Sequence, residues 1–135
     1  MGKRFEEIEH TADIAIHVWG RDLGELFANA AYGMACQLAN LDGVSQAVER
    51  PIQLEACDTE TLLVAWLGEL LYLGEQGECV FTDFDILDLT PTRLRAVAWG
   101  GAVQEHRSYI KAVTFSELEI VCCDEGCETT IVFDV

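Results

Sequence analysis

Apolar positions recur at every second residue near the start of the chain. Phe5 to Glu9 reads as a short strand. Ile14, Ile16 and Val18 then alternate with Ala15, His17 and Trp19, which predicts a second strand. The period changes after that. Leu23, Leu26, Phe27, Ala30, Ala31, Met34, Ala35 and Leu38 keep three-four spacing, the mark of a helix with one apolar face. Asp22 stands at its N-cap and Glu25 follows three residues later. Leu41 to Ser45 reads as a loop, and Val48 to Ala56 as a strand that Pro51 assigns to a sheet edge. Asp58 caps a second helix, from Thr59 to about Gly74. It is apolar on most sides (Leu62, Leu63, Val64, Trp66, Leu67, Leu70, Leu71, Leu73), as a central buried helix would be. Gly74 and Gly77 are expected to stop it.

The remainder reads as β. Cys79 to Leu87 and Arg93 to Trp99 are strands joined through Thr90-Pro91, with Gly100-Gly101 as a turn. Ser108 to Phe115 fits either a strand or a short helix. Leu118 to Cys123 and Thr129 to Val135 are strands around the turn Asp124-Glu125-Gly126. The order ββαβα followed by strands predicts an α+β fold: two helices packed on a mostly antiparallel or mixed sheet, as one domain over residues 1–135.

Composition narrows the partners. With 24 acidic against 8 basic residues the net charge is −16, a poor match to a phosphate backbone, so no direct nucleic-acid binding is expected. Such a surface suits cations or a basic protein partner. No apolar run is long enough to cross a membrane, and no secretory signal precedes Glu6-Glu7. The expected setting is therefore the cytoplasm, with the six cysteines as reduced thiols. Cys122, Cys123 and Cys127 contain no Cys-x-x-Cys pair, so they read as buried or hairpin thiols rather than a zinc site.

The chemistry gathers at the two ends. His10-Thr11-Ala12-Asp13 is a polar knot at the mouth of the second strand. At the other end Ile131, Phe133 and Val135 alternate to the last residue, so the terminal carboxylate is held in place with Asp134 beside it. If Asp13 is alone, it is a turn or cap residue. If it meets Asp134 and the Val135 carboxylate, the like charges require a proton or a cation. All-oxygen ligands favour Ca²⁺, Mg²⁺ or Mn²⁺. Spacing does not decide between these.

The stretches "IEHTADIAIHVWG", "LGELFANAAYGM", "ETLLVAWLGELLYL", "IKAVTF" and the ending "IVFDV" resemble, in order and over nearly the whole chain, those of the archease family. That resemblance implies a small α+β protein that assists the tRNA-splicing RNA ligase. The ligase joins 2′,3′-cyclic-phosphate or 3′-phosphate ends to 5′-hydroxyl ends, using GTP, a divalent metal and a guanylylated histidine. The family member promotes guanylylation and multiple turnover. The resemblance also implies a divalent-metal site, Ca²⁺ foremost and Mg²⁺ or Mn²⁺ as alternatives, built from Asp13, Asp134 and the carboxylate of Val135. His10 and Lys111 are accessory candidates. His10 and Thr11 are expected mainly to fix the turn that presents Asp13. The sequence departs from the family where many members continue the Lys-Ala-Val-Thr element with Tyr-His; here Phe115-Ser116 follows. The segment from Gly100 to His106 is also shorter than is common. No P-loop, nucleophile elbow or zinc-protease motif is present, so an activator without catalytic residues is expected. The alternative is a metal-dependent phosphoesterase using Asp13, Asp134 and His10.

Overall fold

In a computed structural model of the protein, residues 4–8, 13–116 and 118–135 are described. The strands are β1 (Phe5–Ile8), β2 (Ile14–Gly20), β3 (Ala39–Asn40), β4 (Val48–Glu55), β5 (Cys79–Leu89), β6 (Arg93–Ala102), β7 (Glu105–His106), β8 (Ala112–Val113), β9 (Val121–Cys123) and β10 (Gly126–Asp134). The helices are α1 (Leu23–Leu38) and α2 (Thr59–Gly77). Five strands form one sheet in the order β1-β2-β10-β8, with β9 sharing the second edge of β10. Three form another in the order β4-β6-β5, and β3 pairs with β7. Every pairing is antiparallel, which resolves the expectation of a mostly antiparallel or mixed sheet.

The helices start where capping chemistry puts them. Asp22 accepts the Glu25 amide at 2.8 Å and Asp58 accepts the Thr61 amide at 2.8 Å, each satisfying a first-turn donor that the helix leaves unpaired. α1 touches both large sheets through Leu26, Phe27, Ala30, Ala31 and Met34. α2 contributes Leu62, Leu63, Trp66 and Leu67, all fully buried, as its all-round apolar pattern requires. Each such leucine contributes about 1.5–3 kcal/mol on burial. The Trp66 indole N–H donates to the Phe27 carbonyl at 3.0 Å, tying α2 to α1 inside the core. Ile16 and Val18 of β2 and Ile131 and Phe133 of β10 complete that core from the five-stranded sheet.

The structure corrects several boundaries. α2 runs through Gly74 and stops at Gly77, where the left-handed backbone of Glu78 (φ 51°) caps it. Gly100-Gly101 is not a turn but lies within β6, and β6 reaches Ala102. A Cβ at Gly100 would run into the Val80 carbonyl, so the glycine permits close approach of β5 and β6. Ser108 to Phe115 is mostly irregular, with only the two residues of β8 in a strand. β9 is confined to Val121–Cys123, and β10 begins at Gly126. The edge position that Pro51 implied for β4 holds.

The expectation of six reduced thiols is overturned at one pair. Cys122 and Cys127 form a disulfide. The β9–β10 hairpin sets the two in register across the ladder, so their side chains meet on one face. Cys36, Cys57, Cys79 and Cys123 are free thiols.

Candidate functional site at the end of the β2–β10 ladder

β2 and β10 pair from Cys127 opposite Gly20 to Phe133 opposite Ile14. Asp13 immediately precedes Ile14, and Asp134 immediately follows Phe133. The ladder stops at that pair; Asp13 lies in a bend just before β2, and one further step of the same register would set it opposite Asp134. Facing residues of an antiparallel pair share a face, with Cβ atoms about 4.5–5.5 Å apart. Asp13 is half-buried and Asp134 exposed.

The C-terminal strand is held from its other side as well. The Lys111 amide donates to the Asp134 carbonyl at 2.7 Å, and Ala112 and Val113 pair with Asp134 and Phe133. The Thr114 amide and hydroxyl both donate to the Val132 carbonyl, each at 3.0 Å. Phe133 is fully buried beneath. The chain is thus fixed to its penultimate residue, and the terminal carboxylate of the half-exposed Val135 projects from a defined position.

The structure joins the backbones of Lys111 and Asp134, and Asp13 directly precedes Ile14, the β2 partner of Phe133. Lys111 itself is exposed. His10 and Thr11 lie outside the described residues. Among the described residues, no three His, Cys, Asp or Glu side chains gather as a metal cage. The residues flanking this ladder end carry two side-chain carboxylates, Asp13 and Asp134, and Val135 carries the terminal one. Oxygen-only donors of that kind fit a hard divalent ion that keeps part of its water shell, and they do not fit a soft one.

Sequence reasoning missed a polar cluster on the same sheet face. Two-residue alternation places His17 with Asp13, and Glu128 and Thr130 with Asp134. His17 Nδ1 is hydrogen-bonded to Thr130 Oγ1 at 2.8 Å, and its Nε2 lies 3.2 Å from Glu128 Oε1. The Trp19 ring meets the imidazole edge-on at 4.7 Å. The only sequence signal was His17 on the polar side of the β2 alternation. At the opposite end of the β2–β10 ladder, where Gly20 faces Cys127, an open groove of about 960 Å³ is lined by Arg4, Trp19, Arg21, Tyr32, Cys123 and Glu125, among others. Arg4 stacks on Tyr32 at 4.3 Å, and Arg21 pairs with Glu25 at 3.0 Å. Hydrogen bonds from Arg21 hold the Glu25 carboxyl below its usual range.

Antiparallel sheets served by two core helices, with both chain ends meeting in one ladder, define a small α+β protein class that known relatives share. The archease protein family model matches residues 5–135. An archease from Methanosarcina mazei is 37% identical, the match covering 99% of this chain and 97% of that protein. An archease from Saccharolobus islandicus is 36% identical over 98% and 99% of the two chains. The solution structure of Methanobacterium thermoautotrophicum protein 1598 superposes with a TM-score of 0.81 at 31% identity, covering 99% of this chain and all of that one. A Thermotoga maritima archease, described as a possible chaperone, shares the fold with a TM-score of 0.66 at 21% identity. The chain belongs to the archease family.

Proposed function

We propose that this protein is a non-catalytic activator of the GTP-dependent tRNA-splicing RNA ligase, acting in the cytoplasm and using a divalent ion bound by Asp13, Asp134 and the Val135 carboxylate. The observation that supports this reading is the β2–β10 register, whose last pair, Ile14 with Phe133, directly adjoins Asp13 and Asp134 in sequence. A bound divalent ion would supply positive charge for neutralising a nucleotide's phosphates. The chain's own part is placement. β2 and β10 present the two aspartates, and the Lys111 amide fixes the peptide next to the terminal carboxylate. The ion is Ca²⁺, Mg²⁺ or Mn²⁺ by donor chemistry. The acidic surface favours a protein partner with a basic face over RNA. Lys111, exposed beside Asp134, is an accessory group for an acidic or phosphate contact.

The test is guanylylation of the purified ligase with and without this protein, at limiting GTP. The wild type should stimulate and show no ligase or phosphodiesterase activity alone. Asp13→Ala and Asp134→Ala should each lose at least about tenfold of the stimulation, a transition-state effect of some 1.4 kcal/mol, with unchanged melting curves. Full stimulation by both variants would sink the reading. Phosphodiester hydrolysis by the protein alone, lost in Asp13→Ala, would favour an enzyme instead.

A further inference from the structure

Cys122 and Cys127 close a loop of four residues, Cys123 to Gly126, so the entropic gain of the cross-link is small. All three residues of β9 are exposed, including Val121 at 51%, so the strand buries nothing in the core. It is held by three ladder pairs and by the sulfur bridge. The chain just before it is anchored independently. The Ile120 amide donates to Glu60 at 3.1 Å, and Thr129 Oγ1 donates to the Glu119 carbonyl at 2.9 Å. Access is unequal across the bridge: Cys122 is exposed, whereas Cys127 is 8% exposed. Cys123 is an exposed free thiol, but its register partner is Gly126, so it faces away from the bridge.

We propose that Cys122 and Cys127 are a reversible thiol–disulfide exchange site for glutathione-class disulfides and small dithiols, and that their redox state sets the hairpin wall of the Trp19–Arg21–Tyr32 groove. Oxidation begins at the accessible sulfur. The Cys122 thiolate attacks one sulfur of the small disulfide, that S–S bond breaks, and one thiolate leaves. The Cys127 thiolate then attacks the Cys122 sulfur of the mixed disulfide, and the second thiolate leaves. Two electrons and the two cysteine protons pass to the reagent, which ends as two thiols. A dithiol reverses the sequence. In the reduced form β9 keeps only its ladder bonds. The loosened part is Val121 to Gly126, since Ile120 and Glu119 stay anchored. That segment includes Cys123, Glu125 and Gly126, which line the groove. The exchange site does not depend on the metal reading.

The full-length protein is cycled between a dithiol and glutathione disulfide, then unfolded in excess iodoacetamide and mapped by peptide mass. The reduced protein should carry the alkyl group on all six cysteines. The oxidised protein should lose it from Cys122 and Cys127, which emerge linked, and regain it on reduction without denaturant. Backbone hydrogen exchange over residues 121–126 should be about tenfold faster in the reduced form, with Ile131 and Phe133 unchanged. C122S and C127S should exchange at the reduced rate under both conditions, while C123S should cycle normally. Alkylation of Cys122 after oxidation overturns the proposal. So does a bridge that resists native reduction, or hairpin exchange that is equal in both states.

Discussion

At the scale of single residues, Trp66 shows how one side chain can join two helices. Its ring fills the centre of the core, packs edge-on against Phe84 at 5.9 Å, and donates to the Phe27 carbonyl. Trp66→Phe keeps an aromatic ring but removes the donor and leaves a small void. The expected loss is about 1–3 kcal/mol in urea unfolding. A change under about 0.5 kcal/mol would mean that the α1–α2 bond is not a stabilising one. The site aspartates behave differently. Asp134 is exposed and Asp13 half-buried at a strand end, so their replacement should spare the fold and alter what the surface binds.

At the scale of elements, the helices and β2 were legible because each is long enough for its period to show. Ile14 to Trp19 and the α1 stripe were placed almost to the residue. β3, β7 and β8 were not, since two-residue strands carry no periodicity and exist only through their partners. Gly100-Gly101 misled as a turn because a glycine that admits a neighbouring strand looks the same in sequence as one that bends the chain. The cap of α2 was legible and has a pH consequence. Hydrogen bonds from Thr61 hold the Asp58 carboxyl below the ordinary carboxylate range. The folded form thus binds that proton less readily than the unfolded chain. Its contribution is complete above the usual aspartate pKa, about 3.9, and is lost as pH falls through the lower folded value. Melting temperature against pH should show Asp58→Ala below the wild type at neutral pH, with the two converging in acid. A gap that widens on acidification would reverse the sign of this account.

At the scale of the whole molecule, the chain uses its fold to bring its first strands to its last residues. The alternation of Ile131, Phe133 and Val135 announced an ordered terminus, and the β10 ladders with β2 and β8 hold it. That the residue after Asp13 would pair with the residue before Asp134 was not legible in spacing. Register between strands more than a hundred residues apart is set by the core, and only family resemblance pointed to it. The disulfide was hidden for a related reason: hairpin register, not cysteine count, places Cys122 opposite Cys127. The net charge of −16 leaves carboxylates over much of the surface, so general acidity and a built cation site must be separated by the geometry of one ladder end.

Mn²⁺ titration, followed by calorimetry and by the electron-spin signal of the free ion, makes that separation. Wild-type protein is to be compared with Asp13→Asn, with Asp134→Asn, and with a chain extended by three residues beyond Val135. One site per chain is expected in the wild type, with affinity falling at least about tenfold in each of the other three, since each removes or displaces a charged oxygen ligand. Equal affinity in all four proteins would contradict the claim that the two ends of the chain share a cation.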